Sequence, residues 1–418
     1  MTRRVLSQSS RLMLVAVLIS APVPVNAGPG QWTSSGADQG LGDVRSVAIN
    51  NLDPRTVYAA TFGSGVFKTT DGGIHWVPKS GPNSLSLLVV LDPSNPSNVY
   101  VGTNFGAFKS ADGGDTWTGM ISGLIDPTRP ITWVIPALAV EPSDPHTLYA
   151  GSREGFFKSL DRGSSWIDIG GVGNREVSTL LVDPSSLGTI YAGGLGSVYK
   201  STNFGATWMR GPAAEIANAS SIAVDPRDAS IVYAASQANG ARKSTDGGIF
   251  WNYMPMRAGD AEFGSSAVAI NPFDSNIVYF GTNGGGVFRS TDRGNTWNQL
   301  NDGLTNLTVK ALAIDPMNTN IVYAGTSGGG VFSIQLLPVV SGVLFSGKNV
   351  TVVGENFSKG AIILMNGTPQ KTLEDPASSS VLTGKKLAKR IAAGQTVTLQ
   401  VQNPDGSISN DFRLTRPT

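Results

Sequence analysis

One eight-residue pattern, Ser/Thr-x-Asp-x-Gly-x-x-Trp, constrains what this chain can fold into. It recurs at Thr69 to Trp76, Ser110 to Trp117, Ser159 to Trp166, Ser244 to Trp251 and Ser290 to Trp297. A sixth copy, Ser201 to Trp208, carries Asn203 in place of the acid. Successive acidic positions (Asp71, Asp112, Asp161, Asn203, Asp246, Asp292) lie 41, 49, 42, 43 and 46 residues apart, a period that suits one four-stranded propeller blade. Six of the eight tryptophans occupy this single position, which chance would not produce.

Each copy closes a longer unit: an apolar strand, an Asp-Pro turn, a strand containing Val/Ile/Leu-Tyr, a Gly-rich loop, and Val-Phe-Lys-Ser or similar. The first unit reads Ser46-Val47-Ala48-Ile49, Asp53-Pro54, Thr56-Val57-Tyr58-Ala59-Ala60, then Gly65-Val66-Phe67-Lys68. Equivalent units begin near Leu87, Ala137, Thr179, Ile222, Ala267 and Ala311, which makes seven units for six eight-residue patterns. The last unit runs out at Gly330-Val331-Phe332-Ser333-Ile334, while Gln31-Trp32-Thr33-Ser34-Ser35-Gly36 resembles the strand that follows each pattern. The expected fold is therefore all-β: a seven-bladed β-propeller over residues 28–336, closed by the N-terminal strand so that no sheet edge is left open.

These residues resemble the Asp-box, or bacterial neuraminidase, repeat shared by sialidases, sortilin, xyloglucan hydrolases and the propeller-type photosystem II assembly factors. The resemblance covers residues 31–336 and implies a fold, because those families do unrelated things. In such a box the acid accepts backbone N–H groups and the glycine takes positive φ, so Asp71, Asp112, Asp161, Asn203, Asp246 and Asp292 are expected to hold turns rather than to catalyse. Asn203 fits, because an amide oxygen still accepts while a general acid would be lost. Each box tryptophan is expected to pack between sheets, burying about 150–250 Å².

Chemistry is expected on the opposite face, built by the loops between second and third strands and between blades. Its candidate residues are Arg153, Glu154, Arg175, Glu176, Trp133, Tyr253, Arg257, Asp260 and Glu262, with two long loops, 118–136 and 252–266, supplying the aromatics. Covering the open blade ends is the competing reading of those loops. The sialidase likeness stops short, since no Arg-Ile-Pro occurs. The xyloglucan hydrolases place a catalytic acid in the second loop of a blade, where this chain has Phe62 in Tyr58-Ala59-Ala60-Thr61-Phe62-Gly63-Ser64-Gly65. The expected function is binding of protein or carbohydrate without catalysis; the alternative is a glycoside hydrolase or lyase using two of these carboxylates. No catalytic residue, cofactor or metal is assigned. His75 and His146 fall in separate turns, and there is no cysteine.

The C-terminal stretch 337–418 alternates apolar and polar residues between Asn366-Gly367 and Asp405-Gly406 turns. Val353-Gly354-Glu355-Asn356-Phe357 and Val401-Gln402-Asn403-Pro404-Asp405-Gly406, followed by Ser409-Asn410, make it similar to an IPT/TIG domain, which implies an immunoglobulin-like β-sandwich acting as spacer or second contact. At the other end, Arg3, Arg4 and Arg11 precede an apolar run from Leu12 to Ile19, and Val25-Asn26-Ala27 follows. This reads as a signal peptide cleaved after Ala27. Export without disulfides favours a bacterial periplasm or exterior. With 31 basic and 30 acidic residues, no field draws the chain to nucleic acid or anionic lipid. No integral membrane segment is expected after cleavage, and the expected species is a monomer.

Overall fold

The computed structural model describes residues 28–36, 39–82, 85–124, 134–153, 155–170, 176–194, 196–211, 216–256, 264–375 and 378–418. The signal-peptide reading falls on residues 1–27 and lies outside them. Short runs of Val, Ile, Tyr and Ala punctuated by glycine turns leave no room for long helices, and the described chain is all-β apart from short 3-10 turns such as Leu387–Arg390.

Strands consecutive in sequence form successive antiparallel sheets, the arrangement of a β-propeller. The first sheet comprises Val44–Ile49, Val57–Thr61, Gly65–Thr69 and Val77–Lys79. The second runs from Ser86–Leu91 to Thr118–Gly119, the third from Ala137–Val140 to Ile167–Asp168, and the fourth from Val177–Val182 to Met209–Arg210. The fifth runs from Ala219–Asp225 to Asn252–Tyr253 and the sixth from Ser265–Ile270 to Asn298–Gln299. A seventh contains Val309–Ile314, Ile321–Thr326 and Gly330–Gln335. Against its last strand lies Thr33–Ser35, antiparallel, in the register Thr33 to Ser333 and Ser35 to Val331.

Packing explains why the second strand of each sheet reads as a continuous apolar run. Val57–Thr61 and Val99–Thr103 are buried throughout, because each sheet is covered on both faces by its neighbours. The apolar clusters accordingly straddle pairs of sheets. One joins Tyr100 and Ala107 to Leu138, Leu148 and Trp166. Another joins Tyr323 and Val331 of the seventh sheet to Val57, Phe67 and Trp76 of the first, and a third takes Trp32 in with Tyr279 and Phe332. Buried tyrosines add polar ties across the same seams: the Tyr58 hydroxyl donates to Gly113 O at 3.0 Å, and Tyr323 to Gly72 O at 3.2 Å. Burial, reinforced by Asp115 and Asp112, pushes the Tyr58 phenol up to about 12, so it remains a neutral donor.

Two further four-stranded sheets follow residue 338, surrounding their own core of Val350, Val352, Ile363, Leu399 and Val401.

Candidate functional site

The turns between third and fourth strands share one hydrogen-bond scheme. Ser110 Oγ donates to Asp112 Oδ1 at 2.7 Å and accepts the Gly114 N–H at 2.8 Å. Asp112 Oδ1 then accepts the Thr116 N–H at 2.9 Å and Oδ2 its hydroxyl at 2.6 Å. Asp161 repeats this with Ser165, Asp292 with Thr296, Asp71 with His75, and Asp246 with the Phe250 N–H. Asn203 Oδ1 accepts the Thr207 N–H at 2.9 Å while its amide donates to the Thr207 hydroxyl. Donation from Ser165 holds Asp161 at about 2; at Asp71, burial is outweighed by bonds from His75 and Thr69, again giving about 2. Their lone pairs are committed to the turn.

That same face carries the C-terminal sheets. Asp274 Oδ2 accepts the Ser379 N–H at 2.9 Å and hydroxyl at 2.7 Å, and Asp405 Oδ2 accepts from Asn318 and Gln335 at 2.8 and 3.0 Å. Arg289 pairs with Glu355 at 2.9 Å and donates to Asn356 Oδ1 at 2.6 Å. In five other sheets the equivalent position is a lysine (Lys68, Lys109, Lys158, Lys200, Lys243) lying 5.3–5.8 Å over the buried tyrosine of its own sheet.

On the opposite face the first strands converge on a cavity of about 480 Å³. Its mouth is shaped by a recurrent irregularity. A β-bulge follows the first residue of the first strand in six sheets, displacing Arg45, Leu87, Ser178, Ser220, Ser266 and Lys310 from the ladder, and all six line the cavity. Pro136 occupies the corresponding place ahead of the third sheet and also lines it. The ring is therefore uneven: a cationic sector (Lys310, Arg45), an apolar one (Leu87, Pro136) and a hydroxyl one (Ser178, Ser220, Ser266).

The polar sectors are held by defined bonds. Arg45 pairs with Asp43 at 2.6 Å and lies 5.1 Å over the Phe62 ring, while Asp43 Oδ1 is buried without a hydrogen-bond partner. Lys310 Nζ donates to Asn283 Oδ1 at 2.6 Å, and Ser266 Oγ donates to the same oxygen at 2.9 Å. Burial first, then Arg45, lowers the Lys310 pKa, with Asp43 opposing. Ser178 Oγ donates to Ala219 O at 2.9 Å and Ser220 Oγ to Ser265 O at 3.2 Å, each reaching into the next sheet.

Of the residues singled out from the sequence, Glu176 lines the cavity and Arg153 bridges to it at 3.7 Å. Tyr253 is on the outermost strand of the fifth sheet, beneath the Arg242 guanidinium at 4.9 Å, and does not line the cavity. Trp133, Glu154, Arg175, Arg257, Asp260 and Glu262 lie outside the described residues. Exposed aromatics do occur on this face, but at Phe62 and Phe105, in the loops between second and third strands. The bulge ring lies within the first strands and not in the loops between strands, so the loop sequences alone do not reveal it. Superposing Val44-Arg45-Ser46, Val177-Ser178-Thr179 and Val309-Lys310-Ala311 on the repeat would have found it. Among the described residues no three acidic or histidine side chains gather as a metal site, and no helix is long and apolar enough to cross a membrane.

No family model matches the chain, and no curated protein does. Solved structures do. The GH74 xyloglucanase from Xanthomonas campestris matches with a TM-score of 0.60 at 19% identity, over 78% of this chain, which spans 60% of that one. A GH74 enzyme from Niastella koreensis matches with a TM-score of 0.57 at 18% identity, over 94% of this chain and 67% of its own. YCF48 from Cyanidioschyzon merolae matches with a TM-score of 0.55 at 15% identity, over 73% of this chain and 99% of its own. At these identities the likeness defines the class of the chain: it is a β-propeller.

Proposed function

We propose that the chain is an exported, seven-bladed Asp-box propeller (residues 28–336), closed by its N-terminal strand and followed by an IPT/TIG-like sandwich (residues 337–418). It acts as a binding scaffold for protein or carbohydrate through the face opposite the boxes. One observation carries the reading: the cavity opens on that face, while the boxes consume their carboxylates in turns and their face holds the C-terminal sheets. A rigid ring with a polar, shaped mouth suits recognition. YCF48 has been solved bound to a D1 peptide, so a propeller of this class takes a peptide. Of the described residues proposed from the sequence for this face, Glu176 and its partner Arg153 are the ones at the cavity.

The second reading, a glycoside hydrolase, draws on the GH74 enzymes that share the fold. Among the described cavity residues Glu176 is the one carboxylate, and an acid–base pair needs a partner about 5–10 Å away. One screen of the mature chain against arrayed glycans, proteins and soluble polysaccharides separates the two. Retention without turnover is expected; release of reducing ends from any polymer would establish the hydrolase instead.

A further inference from the structure

The bulge ring constrains the ligand more narrowly than a polar mouth does. Three facts bear on it. First, the charges around the mouth do not cancel: Arg45 is paired with Asp43 and Glu176 with Arg153, which leaves Lys310 as one positive charge in excess. Second, the hydroxyl sector has spent its protons, because Ser178 and Ser220 donate to carbonyls of the next sheet and Ser266 to Asn283. These oxygens keep only lone pairs, so they present acceptors that a ligand must meet with donors. Glu176 stands on the same arc and is also an acceptor. Third, the remaining sector, Leu87 and Pro136, offers apolar contact and no polar partner.

We infer that the cavity mouth is a binding site for a polyhydroxylated carboxylate: a sugar acid whose carboxylate meets Arg45 and Lys310 while its hydroxyls donate to the seryl arc and Glu176. One carboxylate cancels the one excess charge. Several acceptors spread over three sheets call for several donors, which separates a sugar acid from an amino acid with a single ammonium. A neutral sugar satisfies the arc and leaves the cations unmatched. A cavity of about 480 Å³ holds one such ring with space beside it. The location rests on the reading of this face as the binding face; the chemistry rests on the ring alone. The same chemistry comes from a free sugar acid or from the end of an acidic polysaccharide.

Calorimetric titration of the full chain tests this with galacturonate, galactose, alanine and an oligogalacturonide. Galacturonate is expected to bind at least about tenfold more tightly than galactose or alanine, a difference of about 1.4 kcal/mol. Lys310→Met and Arg45→Gln should each weaken it roughly tenfold, whereas Lys385→Gln, an equal charge change in the C-terminal sheets, should not. Lys310→Gln, which retains a donor toward Asn283, guards against misfolding, and an unchanged thermal midpoint confirms a folded variant. Equal affinity for monomer and oligomer points to the free acid and tighter oligomer binding to the polysaccharide end; both support the site. Galactose or alanine binding as tightly as galacturonate overturns the inference, as does absence of galacturonate binding at about 10 mM. If Lys310→Met and Arg45→Gln bind galacturonate as tightly as the parent chain while a protein or glycan found in the screen is still retained, the face reading stands and the ring site falls.

Discussion

At the scale of the residue, the hydroxyl that begins each eight-residue pattern does more than its acid. Ser110 Oγ is buried, and it both donates to Asp112 and accepts from the Gly114 N–H. Ser110→Ala orphans that buried N–H and removes one of the donors to the Asp112 carboxylate, which keeps those of Thr116. The expected loss is about 1–3 kcal/mol, read from urea unfolding. Asp112→Asn should lose less, because Asn203 already fills the same role in its turn through the same acceptor oxygen. Acid has a predictable direction too. Asp71 and Asp161 are each held at about 2, below the usual carboxylate value near 3.8. A depressed folded-state pKa stabilises above the unfolded value, so this contribution is complete above about pH 4 and is lost as the pH falls toward 2. Urea midpoints that stay level between about pH 5 and 2 would contradict it.

At the scale of the element, what was legible in the sequence divides cleanly. The β-propeller was legible because every blade repeats the same burial problem: a second strand covered on both faces, a glycine turn, a tryptophan at fixed offset. Trp32 stands in the sequence as an orphan of that pattern, and in the structure it is buried between sixth and seventh sheets with its indole N–H donating to Leu300 O at 2.7 Å. Trp32→Ala should therefore cost about 3–5 kcal/mol, far more than truncating an ordinary terminal residue, as measured by thermal unfolding. The bulges were not legible from any one blade, since the displaced residue is Arg45, Leu87, Ser178 or Lys310 with no shared chemistry. A bulge is a backbone event, and only its recurrence across sheets reveals it. The site differs from the fold in this respect: a repeat conserves what packs and varies what binds.

At the scale of the whole molecule, the C-terminal sheets and the cavity lie on opposite faces, and the independence of the two is open to test. Turn residues such as Asp274 and Asn318 look in the sequence like ordinary turn chemistry, yet in the sixth and seventh sheets they also grip Ser379 and Asp405. Arg289 replaces the lysine of the first five sheets at the point where a planar, multiply donating head can hold Glu355 and Asn356 together. Glu355 is about half exposed, so the ion pair itself contributes little; removing the buried arginine is worse, because Asn356 Oδ1 also loses its charged donor. Arg289→Met combined with Asp274→Ala should loosen the C-terminal sheets from the ring. Calorimetry is expected to split one unfolding transition into two, and proteolysis should reach the connection near Leu337 sooner than in the parent chain. Binding on the loop face should stay within about twofold, because no bond of the bulge ring involves either residue. A parallel loss of binding would mean that the C-terminal sheets brace the cavity through the sixth and seventh sheets, whose first strands carry Ser266 and Lys310.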